Sequence, residues 1–130
     1  MELRRIYKCY PNNEDCIQLV EKAFWNEKPK CPYCGATNQT PIKSESRYHC
    51  NSCKTTFSVT VNTVFHKTRV DLQKWFLLLW FYFNDTENLP IRQIAAEVQV
   101  TKDTAWLMLK KVRQSSSIEK EILKKIISSI

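Results

Sequence analysis

Apolar positions follow three different rhythms along the chain, and each predicts a different kind of element. Near the N-terminus Ile17, Val20 and Phe24 recur at helical spacing behind Asn12 or Asn13, either of them a good N-cap, with Glu14 and Asp15 in the acid-favouring first turn. This predicts a short helix that ends by Pro29. From Cys31 to about Val61 the rhythm changes to short β-prone pieces, residues 40–42, 47–49 and 55–61, separated by polar turn residues, which predicts a small sheet. From Asp71, a candidate cap, to about Asn84 the pattern is helical again, with Leu72, Trp75, Phe76, Leu79 and Phe83 on one stripe. Leu77, Leu78, Trp80, Phe81 and Tyr82 make that helix apolar nearly all round. It must be buried, either among neighbouring helices or against a second subunit.

After the polar run at residues 84–88, Pro90 precedes a compact amphipathic helix carrying Ile91, Ile94, Ala95 and Val98. Thr101 then caps another helix, in which Ala105, Leu107 or Met108, Leu109 and Val112 form an apolar stripe beside Lys102, Lys110, Lys111 and Arg113. The connection of Gln99, Val100 and Thr101 has the length of a helix-turn-helix turn, and small Ala95 and Ala96 suit a close helix crossing. Glycine, common in that turn, is absent, so two helices of an ordinary bundle fit the pattern as well. Ser116-x-x-Glu119 reads as a capping box before a last helix, with Ile118, Ile122, Ile126 and Ile130 four residues apart and Glu121 placed to pair with Lys125.

The expected fold is therefore α+β and mostly α, a small four-cysteine zinc-ribbon β-sheet packed among helices and followed by a helix-turn-helix. Residues 1–30 form an N-terminal helical segment, 31–66 the ribbon, 67–113 the helix-turn-helix domain and 114–130 a C-terminal amphipathic helix. The longest unbroken apolar run, residues 75–83, is nine residues, too short to span a membrane, and the N-terminus has no signal-like apolar stretch. A cytoplasmic protein without a membrane partner is expected.

Charge sharpens the picture only when it is divided along the chain. The net charge of +7 is concentrated: residues 31–70 carry five cations against one acid, and residues 101–113 four against one, while residues 71–100 carry two against four. Two basic segments flanking an acidic one suit a polyanion met at two places, and nucleic acid is the common polyanion.

The six cysteines carry the most specific chemistry. Cys31-Pro-Tyr-Cys34 and Cys50-Asn-Ser-Cys53, with fifteen residues between the pairs, match the spacing of zinc ribbons. Each C-x-x-C turn aims two sulfurs to one side, and Gly35 offers the positive φ that such a turn uses. Four thiolates close a tetrahedron around Zn²⁺ and leave no open position, so one structural zinc per chain is expected and a catalytic metal is not. Two redox-active pairs are the alternative, but they normally occur singly and in a βαβ setting that is missing. His49 and His66 are not assigned to the metal, and Cys9 and Cys16 read as small hydrophobes.

The run from Cys31 to Phe76 resembles the zinc-ribbon segment of bacterial insertion-sequence transposases of the DDE type. In that family a short helix ending in tryptophan precedes the first knuckle, as Trp25 does here. An aromatic strand, a Thr-x-Phe-His-like segment and a Lys-Trp-Phe helix follow, matched by Phe57, by Thr63 to His66, and by Lys74 to Phe76. A helix-turn-helix with Ala-Trp and a basic end comes next, matched by Ala105, Trp106 and Lys110 to Arg113, so the resemblance covers about residues 13–113.

The family continues into an RNase-H-like domain whose three acidic residues hold two metal ions. Here seventeen residues follow Arg113 and read as one helix. The resemblance thus implies the recognition half of a transposase without its chemistry: a relic, an excised fragment, or a small regulator, acting as a homodimer or beside a full-length transposase. The expected function is zinc-dependent binding of double-stranded DNA. Thr101, Lys102 and Thr104 would face base edges or phosphates, and Lys110, Lys111 and Arg113 the backbone, with Lys43, Arg47, Lys54, Lys67 and Arg69 adding phosphate contacts from the ribbon side. A zinc-ribbon protein-interaction module, using the ribbon edge and the isoleucine stripe, is the alternative from another class. An enzyme is the third reading; no catalytic residues are assigned.

Overall fold

The computed structural model describes residues 2–26, 28–84 and 89–130, excepting the side chain of Lys43. In chain order the elements are α1 (Leu3–Cys9), α2 (Asn13–Trp25), β1 (Gln39–Ile42), β2 (Arg47–Cys50), β3 (Thr56–Phe57), α3 (Leu72–Phe83), α4 (Ile91–Val98), α5 (Lys102–Gln114) and α6 (Ser117–Ser128), with a short 3₁₀ turn at Lys43–Glu45. A helix apolar on every side has to be surrounded, and α3 is packed by α1, α2, α4, α5 and α6. Trp75, Phe76, Leu77, Leu78 and Leu79 are almost wholly removed from solvent, so the helix is the axle of the core. Its one buried polar side chain, Gln73, is satisfied by donating to the Tyr10 carbonyl at 2.8 Å.

One continuous core runs from Leu3 to Ile127 and includes side chains of all six helices, whereas Cys31, Cys50 and Phe57 form a second, far smaller cluster inside the sheet. The sheet is antiparallel in the order β1-β2-β3, with Gln39 opposite Cys50 and Tyr48 opposite Phe57. Helix α2 joins the two cores. Cys16, Ile17 and Val20 enter the large one, while Trp25 at its C-terminal end sets its ring edge-to-face against Tyr48 and Phe57. The Tyr48 hydroxyl adds a bond to the Glu21 carboxylate at 2.9 Å.

Four expectations are corrected. Helix α1 was not expected, because only Leu3 and Ile6 of its seven residues are buried and no side chain caps it; packing against α3 supplies what the local sequence lacks. The third strand stops at Phe57 instead of continuing to Val61, since residues 58–66 turn repeatedly to return the chain to the helices. Asp71 stands at the N-cap of α3 without capping it through its side chain, its carboxylate accepting instead from the Tyr7 hydroxyl at 2.7 Å. In the Ser116 capping box the first half forms, Ser116 accepting from the Glu119 amide, but the Glu119 carboxylate turns away to accept from the Val64 amide at 2.9 Å. Asn12 and Thr101 cap α2 and α5 as their positions imply. Of the polar run expected at 84–88, only Asn84 lies within the described residues, where it is the C-cap of α3.

Candidate metal centre and nucleic-acid interface

The two C-x-x-C turns are built alike. The amide of Gly35 donates to the Cys31 carbonyl and that of Lys54 to the Cys50 carbonyl, each at 2.9 Å, and both residues are left-handed, with φ of 76° and 61°. Gly35 adopts this conformation freely, whereas Lys54 holds the equivalent place against its β-carbon. The turns face each other so that all four sulfurs lie within 4.8 Å of one another. Cys31 and Cys53 are 3.7 Å apart and Cys34 and Cys50 3.5 Å apart, close to the ~3.8 Å edge of a tetrahedron with Zn–S bonds of about 2.3 Å. Such separations also exclude disulfides, whose sulfurs approach to about 2.0 Å. A hydrogen bond from the Thr55 side chain is the largest influence lowering the Cys53 thiol, which favours the thiolate, the form a metal takes. The donor set fits zinc: Cys31, Cys34, Cys50 and Cys53 form a zinc-binding site of the structural kind. His49 and His66 lie outside the cluster. Cys16 is fully buried as its spacing suggested, and burial pushes its thiol up to about 12; Cys9 is exposed instead.

Helices α4 and α5 pack together and are joined by a turn that begins at Gln99, left-handed at φ 62° and ψ 48°. This is the place where glycine is commonly found, and glutamine fills it. Thr101 accepts from the Thr104 amide at 3.2 Å and donates to the Thr104 hydroxyl at 2.8 Å, so both hydroxyls take part in the cap. Ala105, Met108, Leu109 and Val112 bury one side of α5. The rest of its surface presents Lys102, Asp103, Lys110, Lys111 and Arg113 to solvent, together with Trp106 and Leu107.

The ribbon-side cations are not all one cluster. Arg47, Lys67 and Arg69 line a single cleft between the sheet and the start of α3, with Ser44, Ser46 and Thr60 around them and Glu14, Glu45 and Asp71 also at its walls. Lys54 is exposed on the second knuckle, apart from this cleft, and the side chain of Lys43 is outside the described residues. A shallow depression lined by His66, Lys111 and Gln114 links the loop after the ribbon to α5. Arg113 borders another, with Phe81, Tyr82 and Leu109. Sequence reasoning left Leu107 and Met108 as alternatives for the buried stripe; the structure buries Met108 and leaves Leu107 53% and Trp106 49% exposed. The available signal was Lys110 one turn after Trp106, since its Nζ sits 5.1 Å from the indole centroid.

Residues 11–56 match the family model of the transposase zinc-ribbon domain. The match begins before the first cysteine, at the helix whose Trp25 and Glu21 are fastened to the sheet. Over 102 residues the chain is 31% identical to an uncharacterized protein in transposable element ISH50 of Halobacterium salinarum. That similarity covers 76% of this chain and 34% of the relative, so the chain spans about a third of the relative's length. No solved structure matches. Among the described residues, no helix is long and apolar enough to cross a membrane.

Proposed function

We propose that this chain, which carries a transposase zinc-ribbon domain over residues 11–56, is a sequence-reading module for double-stranded DNA. The observation that carries the reading is α5: a capped helix behind a three-residue turn, buried along one side and carrying three lysines and an arginine on its exposed surface. In this reading α5 lies in the major groove. Thr101, Lys102 and Thr104 stand at the end that meets base edges, while Lys110, Lys111 and Arg113 neutralise backbone phosphates. Arg47, Lys67 and Arg69 in their cleft, with Lys43 at the 3₁₀ turn between β1 and β2 and Lys54 on the second knuckle, supply a second set of phosphate contacts. The zinc site holds the ribbon in shape and takes no part in chemistry, because its four positions are filled by sulfur.

The alternative, a protein-interaction module using the isoleucine stripe of α6, has less support. Ile126 is fully buried and Ile122 half-buried against the body of the protein, leaving Ile118 as the exposed member of the stripe. DNA recognition is proposed without cleavage, in the cytoplasm, with a second copy or a full-length transposase as further partners. Titration of the zinc-loaded chain into fluorescent duplex DNA at several salt concentrations tests the reading. Affinity should fall steeply and linearly in log–log form as phosphate counterions are released. Binding that is absent, or independent of salt, overturns it.

A further inference from the structure

We propose that Trp106 and Leu107 form the apolar part of the base-reading surface of α5 and recognise the 5-methyl groups of thymine in the major groove. The inference rests on the proposal that α5 enters that groove, and it concerns residues that electrostatics does not use. Among the described residues, Tyr33, Trp106, Leu107 and Ile118 are the exposed large apolar side chains, and only Trp106 and Leu107 are adjacent. They lie in the second turn of α5, on the side facing away from Ala105, Met108 and Val112. A recognition helix uses its N-terminal half for base edges. Thr101, Lys102 and Thr104, one turn earlier, offer polar groups to base edges, and Trp106 and Leu107 are the next outward positions along the helix, where an apolar contact can be added.

The occupant is chosen by charge. Lys102, Lys110, Lys111 and Arg113 surround the apolar pair, and Lys110 lies over the indole ring. A second copy of this helix placed against the first would bring like charges together, whereas duplex DNA offers phosphates at the groove walls and a chemically varied floor. On that floor the thymine methyl is the feature an apolar side chain can recognise. Lysines over phosphates set affinity, and the indole and isobutyl groups, placed between them, set the preference among sequences.

The test uses the whole zinc-loaded chain with two duplex polymers, alternating poly(dA-dT) and poly(dA-dU), which differ in the thymine methyl. The native protein should prefer the methylated polymer by about fourfold for each methyl-sized group buried. The Trp106→Ala/Leu107→Ala variant should bind both polymers equally, with the salt slope unchanged. Both side chains are exposed and alanine favours the helix, so the variant keeps the core; circular dichroism checks this. Equal binding of the two polymers by the native chain overturns the inference while leaving DNA binding intact, as does a preference that survives in the variant. Failure to bind either polymer removes the parent reading and this one together. A dimer seen by sedimentation that the double variant dissociates would assign the face to self-association instead.

Discussion

The Nζ of Lys74, in the first turn of α3, donates to the carbonyl oxygen of Gln99 at 3.0 Å, tying the central helix to the turn between α4 and α5. Gln99 is itself left-handed, so this carbonyl is held by a residue that would relax elsewhere if it were free to do so. The α4–α5 turn is thus positioned from inside the core and not by its own sequence alone.

Two outcomes follow for this turn. Gln99→Gly should raise stability by roughly 1 kcal/mol, because glycine adopts positive φ without the steric cost that a β-carbon brings. Lys74→Met should leave thermal stability within about 1 kcal/mol of native, since the lost bond is exposed, yet weaken DNA binding by loosening the angle of α5. Chemical denaturation and fluorescence anisotropy, run on the same samples, separate the two effects.

Removal of zinc should unfold the ribbon while sparing the helical body. The ribbon's own buried cluster is Cys31, Cys50 and Phe57, too small to hold a sheet, whereas the large core draws on every helix and needs no metal. Addition of a strong chelator, or Cys50→Ser, should therefore abolish one bound zinc per chain and make residues 31–57 protease-sensitive. The helical signal in far-ultraviolet circular dichroism should stay near its native level. Loss of all helix on chelation would contradict this division.

What was legible in the sequence were features that a single residue or a fixed spacing determines. The cysteine spacing located the metal site, and Asn12, Thr101 and Ser116 marked the starts of α2, α5 and α6, because a cap acts on amides two or three residues away. The unbroken apolar run of α3 announced a buried helix. Features decided by distant partners were not legible. Glu119 and Asp71 each had a plausible local role, and each was drawn off it by a residue more than fifty positions away, Val64 and Tyr7 respectively. Helix α1 exists because α3 offers it a surface. Between Leu107 and Met108 the i, i+3, i+4, i+7 spacing from Ala105 already favours Met108, the residue that packing buries.

The Glu119 contact makes a prediction with a definite sign in pH. Burial raises the Glu119 carboxyl above its ordinary value, and the Val64 amide offsets this only in part. Between the ordinary and the raised value the folded chain binds more protons than the unfolded one, so this group's contribution to stability falls as pH rises through that window. Glu21, also raised by burial, acts in the same direction. Glu119→Gln keeps an acceptor for the Val64 amide and removes the titration. It should be at least as stable as the native chain at pH 7, and less pH-dependent above pH 4. Glu119→Ala leaves the amide without its partner and should cost about 1–3 kcal/mol. Urea denaturation across pH 4 to 8 checks both.

Lys54 offers a substitution in which stability and DNA binding should move in opposite directions. Its φ of 61° repeats the 76° of Gly35 at the same step of the other knuckle, so glycine suits the place better than lysine. Lys54 is exposed on the knuckle, and a phosphate contact is what the proposed function assigns it. Lys54→Gly should stabilise the zinc-loaded ribbon by about 1 kcal/mol and lower the slope of log K against log salt by about one unit, leaving the preference among sequences unchanged. Comparison with Lys54→Ala isolates the charge, since alanine removes the cation but retains the β-carbon. If both variants bind duplex DNA with the native salt slope, Lys54 makes no phosphate contact, and the second basic surface is left to Lys43 and the cleft of Arg47, Lys67 and Arg69.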